Sequence, residues 1–216
     1  MKIFLYTAET DVVRKHWKTG LIDGLTTNPS LIRKSGRKHE EVYQEFKDIG
    51  LTDISMEVIG NTENMISEGK RLHKKFGKCS TIKVPCTYDG LQACAHLSVE
   101  GIKVNVTLIF SQAQAILAAK AGAKYVSPFV GRVDDNSFGG LCLVKDIAKV
   151  YREHMVTKTE VLAASLRGVR DVGRAFEYGA DIVTMPPAVF EGMYNHILTD
   201  KGLDQFDKDY EASIQQ

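Results

Sequence analysis

The chain has 216 residues, 44% of them hydrophobic and 25% charged, which suits a folded protein with a sizeable core rather than a disordered or fibrous one. Its 28 Lys and Arg stand against 27 Asp and Glu, so the formal net charge of +1 gives no bulk attraction to nucleic acid or to an anionic membrane. No apolar run approaches the ~20 residues of a membrane span, and the first residues lack the order of a signal peptide, so the expectation is a cytoplasmic protein.

Along the chain, short β-branched or apolar runs alternate with longer stretches of helical spacing. The strand-like runs are Ile3–Thr7, Ile22–Thr27, Ile54–Ile59, Ser80–Val84, Lys103–Ile109, Tyr125–Val130, Glu160–Ser165 and Asp181–Met185. Between them the spacing predicts helices that include Thr62–Phe76, Asp89–Ser98, Ser111–Ala121, Leu141–His154 and Arg167–Tyr178. Asn61, Thr87 and Ser111 stand where N-caps belong, and Gly101, Gly122 and Gly179 follow helical patterns as left-handed stops. The basic cluster from Arg33 to Lys38 is short and interrupted by Gly36, and it reads as a solvated loop. Gly202–Ser213, with Leu203, Phe206 and Tyr210, reads as a final amphipathic helix.

Eight strand–helix units within residues 1–216 predict a single-domain α/β fold, a (β/α)8 TIM barrel with an additional C-terminal helix. The rival, an open doubly wound sheet, lacks the G-x-G-x-x-G or P-loop glycines after any strand. Cys79, Cys86, Cys94 and Cys142 form no C-x-x-C pair, and no His stands at metal-finger spacing from them. The expectation is therefore no metal and no cofactor, with the thiols reduced.

In such a barrel the chemistry gathers at the C-terminal ends of the strands. Lys83 sits in the middle of an apolar strand, where burial would lower its pKa and leave a nucleophilic amine. Snorkelling outward between helices is the other reading. Thr26, Thr27 and Asn28 lead into Pro29, either as site groups or as plain turn chemistry. Glu57 is a carboxylate between apolar neighbours, catalytic or merely paired. Asn105 and Thr107 are two apart and share a face, inward or outward. Ser127 with Arg132, and Ser165 with Arg167, place a hydroxyl and a guanidinium at two consecutive late strand ends, which is the composition of a phosphate cradle.

These segments resemble the short transaldolase family, which also contains the fructose-6-phosphate aldolases. The likeness covers essentially the whole chain. It is carried by Gly24-Leu25-Thr26-Thr27-Asn28-Pro29-Ser30, Ile82-Lys83-Val84-Pro85, Asn105-Val106-Thr107-Leu108-Ile109-Phe110-Ser111, Val126-Ser127-Pro128-Phe129-Val130-Gly131-Arg132 and Ala163-Ala164-Ser165-Leu166-Arg167. The resemblance implies a metal-free Schiff-base mechanism in which Lys83 attacks the C2 ketone of a sugar phosphate. The dihydroxyacetone unit then stays on the lysine while the aldose leaves, and a second aldose phosphate captures it. Sedoheptulose 7-phosphate and glyceraldehyde 3-phosphate would become erythrose 4-phosphate and fructose 6-phosphate. Glu57 and Thr107 match positions that activate water, and Asn28 and Asn105 match contacts to substrate hydroxyls. Arg132, Ser165 and Arg167 match the phosphate site, and Ser127 lines the pocket. Phe129 and Glu57 are the residues of the transaldolase branch, where the aldolases carry Tyr and Gln. The resemblance further implies a homo-oligomer, a pentamer or decamer.

One position departs from the pattern. The family places an aspartate, its proton-transfer group, where this chain has Tyr6. A phenol with a reference pKa of about 10 is only about 0.1% ionised at pH 7, so using its phenolate costs about 4 kcal/mol at 1.36 kcal/mol per unit. Three readings stay open: a transaldolase with impaired or redirected transfer, a relocated phenol with aldolase-like chemistry, or a sugar-phosphate binder with little turnover.

Overall fold

Each strand is a short run whose alternate residues face opposite sides, so a polar residue between apolar ones falls on the side away from them. The computed structural model describes residues 1–214. Its strands are Lys2–Tyr6 (β1), Gly24–Thr26 (β2), Ile54–Glu57 (β3), Ser80–Pro85 (β4), Val104–Ile109 (β5), Tyr125–Pro128 (β6), Glu160–Ala163 (β7) and Ile182–Met185 (β8). They pair in chain order into a closed barrel, and β1 completes the ring by running parallel to β8 with Leu5 opposite Met185. Helices lie between the strands, as expected of a (β/α)8 fold.

The alternation makes two cores. Leu25, Met56, Ile82, Val84, Val106, Val126, Val161 and Val183 face outward and pack with helix residues such as Val13, Phe46, Met65, Leu97, Val144 and Phe190. Full burial of each such side chain is worth roughly 1.5–3 kcal/mol, so this layer is what closes the helices onto the barrel. The opposite face carries a smaller cluster of Phe4, Tyr125, Leu162, Ala164 and Ile182, which fills the lumen and reaches the mouth at Ala164. Below it, the Asp53 carboxylate accepts from Thr81 Oγ1 (2.8 Å), Lys103 Nζ (2.6 Å) and Tyr125 Oη (2.9 Å), which meets the buried polar groups at that end. The lumen is thus apolar in a middle layer, with polar groups at both ends.

The predicted starts and stops hold. The side chains of Asn61, Thr87 and Ser111 accept from the N–H groups of Asn64, Gly90 and Gln114. Gly101, Gly122 and Gly179 adopt φ of 78°, 84° and 94°. Boundaries differ in places. The second strand is shorter than Ile22–Thr27 because the Asp23 carboxylate, rather than a strand carbonyl, takes the Ile3 N–H at 2.8 Å. Arg33 and Lys34 close a short helix, Pro29–Lys34, and Arg37 pairs with Glu45, so the basic cluster is not the free loop expected. The final helix starts earlier, at Ile197, and runs to Ile214 with no buried residue. Phe206 on it is 70% exposed, so this helix does not pack on its own barrel. No helix among the described residues is long and apolar enough to cross a membrane.

Candidate active site

On β4, Ile82 and Val84 belong to the outer core, so Lys83 between them must point into the lumen. Its side chain is buried, with Nζ 2.5 Å from the Thr27 carbonyl oxygen and 3.0 Å from Glu57 Oε2. Cross-strand register explains the meeting, since Glu57 on β3 stands opposite Lys83. Burial pushes the lysine pKa down, the Glu57 carboxylate opposes that, and the nearby Arg132 adds to the lowering. Burial is the largest of these causes, which favours the neutral amine.

Around this amine the strand ends supply hydroxyls and amides. Asn105 bridges two neighbours, donating from Nδ2 to Ser55 Oγ (3.2 Å) and accepting at Oδ1 from Ser127 Oγ (2.7 Å). Thr26 on β2 and Thr184 on β8, the two strands that flank β1, join their hydroxyls at 2.7 Å. The β5–β6 register shifts between Val106 and Ile109, where Leu108 takes φ of 59°, a backbone irregularity beside Thr107. At the end of β1, Tyr6 Oη accepts from Asn28 Nδ2 at 2.6 Å, while Asn28 Oδ1 caps the helix Pro29–Lys34 by accepting from Leu31 N at 2.8 Å. Burial raises the Tyr6 pKa above its ordinary 10, against the lowering effects of Asn28 and Arg132. Tyr6 is therefore a neutral phenol at neutral pH, with its oxygen already accepting one hydrogen bond and its own proton free to donate.

At the mouth, Arg132 lies with its guanidinium carbon 5.0 Å from the centre of the Phe129 ring, which in turn meets Phe110 edge-on at 5.9 Å. No carboxylate pairs with Arg132 among the described residues. Gly131, just before it, admits no side chain: a Cβ there would sit 2.5 Å from the Ser165 carbonyl oxygen. The cavity these residues enclose has a volume of about 100 Å³.

A family model described as Transaldolase/Fructose-6-phosphate aldolase matches residues 3–216. The chain belongs to the transaldolase/fructose-6-phosphate aldolase family. Among its relatives, a protein named probable transaldolase from Caulobacter vibrioides (strain NA1000 / CB15N) is 51% identical over 216 residues, covering 100% of this chain and 99% of its own. Another of the same name, from Paracoccus denitrificans (strain Pd 1222), is 50% identical over 211 residues, 97% of this chain and 96% of that one. A third, from Nitrosopumilus maritimus (strain SCM1), is 48% identical over 212 residues, 98% and 95% of the two chains.

In this transaldolase-family barrel, the cavity is lined by Tyr6, Thr26, Asn28, Lys83, Asn105, Thr107, Ser127, Phe129, Arg132 and Ser165 among the residues singled out from the sequence. Glu57 stands behind the lining, in contact with Lys83. Arg167 does not line the cavity. Its terminal nitrogens are engaged by Asp135 at 2.5 Å each, with the Arg167 side chain 56% exposed. Thr184 and Ala164 line the cavity and were missed. Thr184 carried a signal, being the one polar side chain inside the β8 run Ile182–Met185 and two residues from the lumen-facing Ile182.

Proposed function

We propose that this family member is a transaldolase that moves a dihydroxyacetone unit between sugar phosphates through an imine on Lys83. The observation that carries the reading is Lys83 itself, 6% exposed, 3.0 Å from a carboxylate and facing a cavity of hydroxyls, with a guanidinium at its mouth that no carboxylate pairs among the described residues. The neutral amine adds to the C2 ketone, and Glu57 and Thr107 manage the protons as water leaves. The C3–C4 bond then breaks, its electron pair passing into the iminium to give an enamine, while the C4 hydroxyl proton leaves to a base. The aldose departs. An incoming aldose phosphate is attacked by the enamine carbon, its alkoxide takes a proton, and water hydrolyses the new imine. Asn28 and Asn105 hold substrate hydroxyls, and Ser165 and Arg132 receive the phosphate. The chemistry needs no metal or cofactor.

Tyr6 shapes the rate. A neutral phenol donates readily to the alkoxide formed in addition, but it is a poor base for the cleavage half-reaction near neutral pH. The reading is accordingly a transaldolase whose cleavage step is slowed. A second reading uses the phenol as an acid: it protonates the enamine carbon, dihydroxyacetone leaves on imine hydrolysis, and glyceraldehyde 3-phosphate is released from fructose 6-phosphate without an acceptor aldose, which a coupled assay without acceptor detects. The exposed helix Ile197–Ile214 is the part we assign to contact with another copy in a homo-oligomer, and the free thiols agree with a reducing, cytoplasmic setting.

Borohydride reduction in the presence of fructose 6-phosphate, followed by intact mass, tests the lysine directly. The chain should gain one sugar-derived mass, and the Lys83→Ala variant none. A wild-type chain with no adduct would leave only a non-catalytic sugar-phosphate binder.

A further inference from the structure

Two guanidiniums stand on the late-strand side of the cavity, and they are not equivalent. Arg132 lines it, lies over Phe129 and has no carboxylate partner among the described residues. Arg167 stands close by, with its Nε only 2.6 Å from the place a Cβ on Gly131 would occupy, and two residues beyond the cavity-lining Ser165. Both of its terminal nitrogens are taken: Nη1 donates to Asp135 Oδ1 and Nη2 to Asp135 Oδ2, each at 2.5 Å. That fork-to-fork pairing is the same geometry a guanidinium offers to two oxygens of a phosphate. One fork cannot serve both.

The backbone around Asp135 is tied down. The Asp135 N–H donates to the Gly131 carbonyl at 3.0 Å, and Asn136 Nδ2 holds the Arg132 carbonyl at 2.8 Å. Asp134 Oδ1 accepts from Gly140 N at 2.8 Å. The carboxylate is thus presented to Arg167 from a fixed place rather than from a wandering loop.

We propose that Asp135 is a specificity-determining residue, an internal competitor that occupies the Arg167 fork until a substrate phosphate displaces it. This rests on the reading of Ser165 and Arg132 as a sugar-phosphate site. A phosphate ester carries about −1.5 to −2 charges at pH 7, against one on the carboxylate, so it can take the fork. An uncharged sugar leaves the Arg167–Asp135 pair closed. Because both partners are about half exposed, at 56% and 50%, the competition is mild.

The test reads the sugar concentration that gives half-maximal borohydride adduct on Lys83. In Asp135→Asn, which cannot form the ion pair, that concentration should fall about threefold for fructose 6-phosphate and stay unmoved for fructose. A phosphorus NMR titration with inorganic phosphate, which needs no imine, should show binding tightened by a similar factor. An unchanged or weaker response to phosphate in both measurements overturns the proposal, since Asp135 would then be idle or would aim Arg167 at the ligand. Arg132→Gln keeps the two readings apart. If it weakens the response to fructose 6-phosphate more than the response to fructose while Asp135→Asn changes nothing, the phosphate site stands and the competitor falls. If Arg132→Gln treats both sugars alike, the phosphate site itself fails, and the competitor with it.

Discussion

At the scale of one residue, the proposed reaction turns on Tyr6. Its phenol is held above the ordinary pKa of 10 by burial, and Asn28 donates to its oxygen. Only the deprotonated form can accept the C4 hydroxyl proton, and that fraction grows with pH. Sugar transfer should therefore climb by about tenfold per pH unit above neutrality, toward a pKa higher than 10. Deprotonation of Lys83 adds its own rise, but that contribution is shared by the Tyr6→Asp variant. The ratio of the two pH–rate profiles isolates residue 6. At neutral pH, Tyr6→Asp should be faster by on the order of several hundred-fold, reflecting the cost of recruiting a phenolate. Equal rates would show that the phenol suffices. Lys83 illustrates the same scale from the other side: its identity suggested an amine in need of burial, but only its neighbours Ile82 and Val84 in the outer core decide that it faces inward.

Strand β4 delivers Lys83, and its end is packed without slack against the helix that follows. Gly90 lies in the first turn of the helix Tyr88–Val99, and a Cβ there would fall 1.9 Å from the Pro85 carbonyl oxygen, which is backbone and cannot swing away. Gly90→Ala should cost about 1–3 kcal/mol, seen as a lower urea midpoint at unchanged slope, with slower imine trapping because β4 must shift. Gly173 offers the contrast. It sits inside the helix Val169–Glu177 with nothing within 4 Å of an added Cβ, so Gly173→Ala should raise stability by about 0.5–1 kcal/mol. Opposite signs for two Gly→Ala changes within helices would confirm that contact, not helix propensity alone, decides each.

Across the molecule, apolar side chains such as Ile59 and Phe138 stand exposed on the barrel as well, but the final helix leaves a whole apolar stripe open. Ile197, Leu203, Phe206, Tyr210 and Ile214 on Ile197–Ile214 are all more than half exposed, among acidic residues that include Asp204, Asp207 and Glu211. An apolar stripe left open at that length is what another surface covers. Light scattering should find the full chain as a homo-oligomer and a chain ending at His196 as a smaller species with its barrel intact. A monomeric full chain would remove the assignment of this helix to a second copy.

Periodicity and punctuation made the fold legible from sequence. Eight apolar runs separated by capped helical stretches admit few arrangements, and the caps at Asn61, Thr87 and Ser111 are local chemistry that needs no tertiary context. The residue types of the site were legible for the same reason, because Lys83, Asn105 and Thr107 are conspicuous in strands that otherwise read as buried. What the strands alone left open was orientation and partnership. Closure of the barrel chose the inward face for Lys83 and brought Glu57 to it across the β3–β4 register. Closure also set Thr184 against Thr26, which are 158 residues apart and could not be paired by any local pattern. Arg167 shows the limit most plainly. Its place after a late strand suggested an open cation, yet Asp135, from a segment before β7, already fills its fork. Residue type and spacing are encoded along the chain, whereas which charge meets which is decided only when the sheet closes.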